Sequence, residues 1–241
     1  MKIYPAVHYS MGGLWVDYDQ MTNIPGLFAA GECAYQYHGA NRLGANSLLS
    51  AIYGGMVAGP KAVEYIKGLN KSAEDISSTI FEQEKNKRIA QFEAIMKMDG
   101  KENAYNISKE LGEVMTNNMT VVRYNDRLEQ TIEKIKELKV RYKDINVNDR
   151  SRWANQGASF IRQLWNMLEL AEAMTKGALL RNESRGAHYK PEFPERDDEN
   201  FLKTTIATYT PEGPEISYED VDISLIPPRK RDYTSDKKGG N

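Results

Sequence analysis

The sequence predicts an α+β chain that is mainly α. An antiparallel helical bundle is flanked by an N-terminal segment of short strands and a small C-terminal β-containing domain. Three observations carry this. Residues 73–185 hold four stretches of helical apolar spacing separated by short polar breaks. Residues 1–68 mix short apolar runs with glycine-rich turns and close on one apolar helix. From residue 186 prolines and charges rise, and two stretches show partial alternation. The predicted division is therefore 1–68, 69–185 and 186–241.

Tyr4–Val7 and Leu14–Asp17 read as short strands, with His8-Tyr9-Ser10-Met11-Gly12-Gly13 between them. The paired glycines permit a sharp bend or close backbone approach. Gly26–Ala30 is an apolar run suited to a buried strand, ended by Gly31-Glu32. Asn46 is a plausible N-cap for a helix reaching about Gly68, with Leu48, Leu49, Ile52, Met56, Val63 and Ile66 at helical spacing. Gly54, Gly55 and Gly59 weaken that helix unless something packs closely there, and Pro60 marks a kink or break. Gly68-Leu69-Asn70 is a stop signal and a domain boundary.

Bundle helices are predicted near 74–98, 102–118, 120–143 and 157–182. The first carries Ile76, Ile80, Ile89, Phe92 and Met96 on one face, and the third carries Leu128, Ile132, Ile135 and Leu138. Met96, Met98, Met167 and Met174 read as core filler. Phe201–Tyr209 and Ile216–Ile226 read as two strands paired in a small sheet, followed by an extended tail through Pro227-Pro228-Arg229-Lys230-Arg231.

Composition narrows the function. The 241 residues are 40% hydrophobic, enough for a real core, and the net charge of −2 gives no general pull toward nucleic acid. One cysteine, Cys33, excludes an internal disulfide framework and any cysteine-rich metal site, and fits a reducing, cytoplasmic compartment. No apolar run is long enough to span a bilayer and no signal peptide is visible. His8, His38 and His188 are too scattered to suggest a metal site.

Residues 26–50 concentrate the chemistry: a strand end, an acid, an arginine and a helix start. Glu32 is placed to accept hydrogen bonds from neighbouring sugar hydroxyls, or is an exposed loop acid. Asn46-Ser47-Leu48 offers backbone N–H groups to an anion or an electron-rich carbonyl such as that of a flavin, or is an ordinary cap. Arg42, among small residues, suits a two-point grip on a carboxylate, or is a surface arginine. His8 and His38 suit donation to a carboxylate or proton transfer, or are structural. Arg181–His188 is dense in polar groups and reads as a salt-bridged joint between bundle and C-terminal region rather than a site wall.

HYSMGG at His8, GLFAAGE ending at Glu32, HGANRLGANSLL from His38, RNESRGAHY from Arg181 and PERDDENF from Pro194 together resemble the flavoprotein subunit of succinate dehydrogenase and fumarate reductase. The resemblance covers essentially the whole chain, in order, and HGANRLGANSLL is its most specific part. The helical region resembles the Gram-positive type. The chain corresponds to the C-terminal part of that subunit: the last segment of its FAD-binding domain (1–68), a helical bundle domain (69–185) and a C-terminal domain (186–241).

The resemblance implies an oxidoreductase that interconverts succinate and fumarate by hydride transfer to or from FAD and passes electrons toward quinone. His8 and Arg42 match residues that bind the dicarboxylate. Glu32 matches the acid on the FAD ribityl chain, and Ser47 and Leu48 match the helix start that contacts the flavin. The family's acid/base arginine, the covalent FAD tether and the dinucleotide fingerprint lie upstream in that family, and no G-x-G-x-x-G occurs here, so the chain is expected to be an incomplete fragment, inactive alone. Implied partners are an iron–sulfur subunit and membrane anchor subunits, which would place the chain peripherally at the cytoplasmic face of the cell membrane. Two alternatives stand beside this: an L-aspartate oxidase-like flavoprotein, and a non-catalytic structural or assembly module.

Overall fold

The computed structural model describes residues 8–229. The strand expected at Tyr4–Val7 and the end of the tail from residue 230 lie outside the described residues. Among the described residues six α-helices run in order: α1 (Asn46–Lys67), α2 (Ser78–Met96), α3 (Ala104–Asn118), α4 (Asn125–Tyr142), α5 (Gln156–Leu180) and the four-residue α6 (Asp198–Phe201). A hairpin of β1 (Lys203–Thr208) and β2 (Glu215–Asp220) follows. The fold is α+β and mainly α, as the apolar spacing predicts.

The bundle core is built by α3, α4 and α5. Ile107 and Leu111 meet Ile135 and Leu138 of α4 and Ile161, Leu164 and Leu168 of α5. Leu128, Ile135, Leu138, Leu164 and Leu168 are fully buried, each contributing about 2 kcal/mol of apolar transfer. Pairings along the helices set their directions. Asn118 of α3 donates to Thr131 near the start of α4, while Arg141 near its end grips Glu110 of α3. Leu128 clusters with Ala178, and Tyr142 packs on Trp165. Thus α4 is antiparallel to both neighbours. Side chains cap two helix starts: Asn103 caps α3 and Asn155 caps α5. Glu192, distant in sequence, accepts from the first amide of α4, Asn125 N–H, at 2.8 Å.

Helix α2 departs from the expectation. Ile76, Ile80, Ile89 and Phe92 are exposed, and of the predicted stripe Met96 is buried. The helix joins the bundle through its C-terminal end, where Arg152 pairs with Glu93 and Arg150 donates to Met96 O. A stripe of apolar residues records a face but not a partner for it. Met167 and Met174 are likewise exposed on α5 rather than in the core.

The hairpin pairs Lys203 with Asp220 through Thr208 with Glu215 in antiparallel register. The second strand ends at Asp220, short of the predicted Ile226. The hairpin packs on α5: Lys176 donates to Pro214 O and Tyr218 to Leu180 O. It also reaches the N-terminal segment, where Trp15 Nε1 donates to Glu219 at 2.8 Å.

Among its described residues the N-terminal segment makes isolated bridges, not strands. Leu14 bridges Ala34, Val16 bridges Thr22 and Met21 bridges Phe28. Neither Leu14–Asp17 nor Gly26–Ala30 forms a continuous strand, because a strand needs a ladder of paired neighbours and one bridge per pair does not extend. Gly31–Cys33 closes the apolar run with a 3₁₀ turn. Gly13 approaches Cys33 so closely that a Cβ there would collide with the Cys33 backbone, which accounts for the glycine. Helix α1 continues through Pro60 without breaking. Gly54 is buried against Ala30 and the Tyr37 hydroxyl, whereas Gly55 and Gly59 face open space.

The bundle's main charged network predicts acid sensitivity. Arg141 donates to both oxygens of Glu102 and of Glu110, and Lys134 pairs with Glu110 at 2.9 Å. Hydrogen bonds from Arg141, then Lys134, hold the Glu110 carboxyl at about 2, below its ordinary 4.5. A depressed folded pKa means the contribution is complete above the ordinary value and disappears as pH falls toward the folded one. The denaturation midpoint is expected to hold from neutrality to about pH 5 and to fall toward pH 2. Urea melts across that range on wild type and Glu110→Gln test this: equal acid slopes in the two proteins would remove Glu110 as the cause.

Candidate functional site

The residues singled out by sequence gather around the start of α1. The chain leaves the Gly31–Cys33 turn, passes His38 and Arg42, and enters α1 at Asn46. The segment from His8 to Ser10 lies against both ends of this path. Ser10 N–H donates to Glu32 Oε1 at 3.0 Å. One residue earlier, the Tyr9 ring lies under the Arg42 guanidinium, 5.2 Å from centroid to Cζ. His8, adjacent to Tyr9, is exposed.

Arg42 itself donates only a weak 3.3 Å bond to the neighbouring Leu43 carbonyl. Among the described residues no carboxylate lies within ion-pair distance of it. Its position is instead set by the ring beneath and the loop that carries it. His38 is held by two hydroxyls: its Nε2 lies 3.2 Å from Tyr9 Oη and 3.2 Å from Ser50 Oγ. The Tyr9 and His38 rings meet edge to face at 5.0 Å. Ser50 in turn donates to Ser47 O at 2.8 Å.

The start of α1 is corrected in detail. Asn46 is the first helical residue, not the cap; the cap is Ala45, in the left-handed region at φ 66°, with no side-chain cap bond. The loop must turn sharply after Gly44, and the backbone rather than a side chain makes that turn. The consequence is a helix N-terminus without a side-chain cap, beside a buried Ser47 Oγ that has no hydrogen-bond partner among the described residues. A buried unsatisfied hydroxyl at an uncapped helix start fits an external polar group there. Leu48, the third residue named from sequence, is 74% exposed, as are most apolar residues of this helix to lesser degrees.

Glu32, Ser47, Arg42 and the His8–Ser10 segment are therefore brought to one region. Sequence reasoning left out Tyr9 and Ser50. Tyr9 was visible as the neighbour of His8, and Ser50 as the residue three after Ser47 on the same helix, and so on the same face. Among the described residues no group of three or more His, Cys, Asp or Glu is arranged to hold a metal ion. Among them no helix is long and apolar enough to cross a membrane.

The Arg181–His188 stretch forms the predicted joint. Glu183 is fully buried and accepts from Arg181 at 2.6 Å, from Nε and Nη2 along one edge of the Arg185 guanidinium at 2.8 and 2.9 Å, and from Asp197 N–H at 3.0 Å. Arg185 continues to Asp198, and Arg181 to Thr205 at the hairpin. His188 lies between the Arg123 guanidinium and Arg181 O. Burial holds its imidazole down at about 4, so it stays neutral at physiological pH, with Nε2 donating to the carbonyl and Nδ1 accepting from Arg123. Lys190, fully buried, donates to Leu179 O at 2.8 Å; burial lowers its ammonium to about 8.

Two family models match the chain. Residues 108–233 match the family described as fumarate reductase flavoprotein C-term, and residues 1–48 match an FAD binding domain. The chain is 65% identical over 239 residues to the succinate dehydrogenase flavoprotein subunit of Bacillus subtilis, covering 98% of this chain and 41% of that one. It is 39% identical to the fumarate reductase flavoprotein subunit of Haemophilus influenzae, covering 97% of this chain and 39% of that one. In structure it resembles the FrdA chain of an E. coli quinol fumarate reductase variant, with a TM-score of 0.86, 36% identity and coverage of 92% and 38%. It also resembles Mycobacterium smegmatis Sdh1, with a TM-score of 0.77, 30% identity and coverage of 92% and 36%. The chain thus spans about two fifths of the length of these relatives.

Proposed function

Because this chain belongs to the succinate dehydrogenase and fumarate reductase flavoprotein family, we propose that it forms the dicarboxylate-facing wall of an FAD-dependent enzyme interconverting succinate and fumarate. The observation that carries this is Arg42: a guanidinium seated on the Tyr9 ring, next to His8, with no carboxylate partner among the described residues. That arrangement is ready to accept an external carboxylate in a two-point grip.

His8 and Arg42 hold the two carboxylates of the substrate and polarise it, which is positioning and electrostatic catalysis. Glu32 holds ribityl hydroxyls of FAD, and the α1 start at Ser47 and Leu48 faces the flavin, where the unpartnered Ser47 hydroxyl and uncapped amides find acceptors. FAD, when bound, supplies the redox chemistry that no side chain here can perform. Residues 1–68 act as the end of the FAD-binding domain, 69–185 as a helical domain and 186–241 as the C-terminal domain. Electrons pass to an iron–sulfur subunit and then toward quinone at membrane anchor subunits, with this chain peripheral to the membrane.

The test is a substrate comparison on the complete subunit that contains this chain. Succinate is expected to reduce an artificial electron acceptor, and L-aspartate is not. Turnover of L-aspartate with none of succinate would move the chain to the L-aspartate oxidase-like class. Turnover of neither, in a preparation loaded with flavin, would leave a structural module.

A further inference from the structure

The loop that carries Arg42 touches the turn that follows α5. Ala187 N–H donates to Ala40 O at 2.9 Å. Gly186, beside it, has φ +59°, and a Cβ there would lie 2.5 Å from Ala40 O and 2.8 Å from Ala40 Cβ. Only glycine combines this left-handed backbone with this approach. Ala40 is two residues before Arg42 in HGANRLG. Arg42 has no ion pair of its own among the described residues, so its place depends on its loop and on the Tyr9 ring.

The Gly186 turn is itself firmly held. Arg185 N–H donates to His188 O at 2.8 Å, and His188 N–H to Arg185 O at 3.0 Å, closing the turn. Arg185 is bound through its guanidinium to buried Glu183 and to Asp198. His188 Nε2 bonds the carbonyl of Arg181, the residue that ends α5, and Lys190 Nζ that of Leu179 in its last turn. The turn is thus an extension of a 25-residue helix whose other face is the bundle core.

We propose that the Gly186 turn is a positioning device for the dicarboxylate site. It transmits the rigid end of α5 to the Ala40 carbonyl and so fixes where the Arg42 guanidinium stands. Gly186, Arg185 and Glu183 are positioning residues, acting through Ala40, and do not touch substrate. This rests on the reading of Arg42 as a carboxylate ligand.

The experiment uses the complete flavoprotein subunit in its assembled complex. Three variants are compared with wild type: Gly186→Ala, Arg185→Lys and Arg42→Ala. The probe is malonate, a dicarboxylate too short to be dehydrogenated, titrated against the flavin absorbance. Succinate kcat and KM are measured alongside flavin content. Gly186→Ala is expected to weaken malonate binding and raise KM by about tenfold with kcat within about twofold and flavin content unchanged, since a misplacement of about 1 Å suffices for such losses. Arg185→Lys keeps the charge but loses the fork, and is expected to shift the same quantities by about threefold. A merely structural role would lower flavin content and thermal stability without splitting KM from kcat.

Wild-type malonate affinity in Gly186→Ala and Arg185→Lys, with Arg42→Ala defective, overturns the proposal. If Gly186→Ala fails to fold, wild-type affinity in Arg185→Lys overturns it alone. Wild-type affinity in Arg42→Ala as well overturns the underlying reading, and this proposal with it.

Discussion

Replacing Arg42 with alanine in the complete subunit is expected to lower kcat/KM for succinate by about 10²–10³, the loss that follows removal of one partner of a desolvated, hydrogen-bonded charge pair. The reasoning is electrostatic. The Arg42 guanidinium meets no carboxylate among the described residues, and its own bond to Leu43 O is long at 3.3 Å. Its donors are therefore available to the substrate. The loop is held from elsewhere, through Ala40 and the turn at Gly186, so truncating Arg42 leaves the fold and flavin content intact. Lysine restores the charge but not the planar fork, and Arg42→Lys is expected to recover only part of the activity. Steady-state kinetics with an artificial acceptor, together with flavin content, measure this. Unchanged kinetics in Arg42→Ala would show that the dicarboxylate is held by other residues.

The largest loss of stability is expected from Glu183→Ala. Glu183 is fully buried, and its carboxylate gathers two arginines and the Asp197 amide. Removing it leaves the largely buried Arg181 and Arg185 side chains with fewer partners, a situation that costs about 3–5 kcal/mol. For a unit of this size that corresponds to a fall in Tm of roughly 10 °C. Glu183→Gln keeps the shape and two acceptor sites fewer, and should fall between. The exposed i,i+4 pair of Arg88 and Glu84 on α2 gives the contrast: its removal should shift Tm by about 1 °C or less. Differential scanning calorimetry on the three variants distinguishes the cases, and equal, small shifts for Glu183 and Glu84 would show that the joint does not stabilise the fold.

The joint also explains how separate parts of the chain meet at the site. Glu183 and Arg185 bind α5 to the C-terminal region, the hairpin reaches Trp15 through Glu219, and Gly186 meets Ala40. Trp15 and Glu219 are 204 residues apart. Contacts of this separation position the N-terminal loops, whose own bonds are isolated bridges.

Much was legible in the sequence because it is local. The 3.6-residue period of Leu128, Ile135 and Leu138 marks the buried face of α4, and polar breaks mark where each helix stops. Glu32, Arg42 and Ser47 lie within sixteen residues of one another as the sequence runs from 32 to 47, so their grouping needs no knowledge of the fold. The density of charge from Arg181 to His188 already indicated a salt-bridged joint.

Only the tertiary structure decided the rest. An apolar face declares that a surface prefers to be covered, but what covers it is a property of other elements. The apolar residues of α2 are spread around the helix and stay mostly exposed, whereas those of α4 share one face and form core. A short apolar run becomes a strand only if a neighbour offers a ladder, and Gly26–Ala30 has a single bridge. The cap of α1 fell to Ala45 because the loop's path required a left-handed residue there, which outranks side-chain preference. Tyr9 beneath Arg42, Ser50 beside His38 and Gly186 against Ala40 arise from long-range approach. Sequence names the groups that can do the chemistry; packing determines which of them stand together.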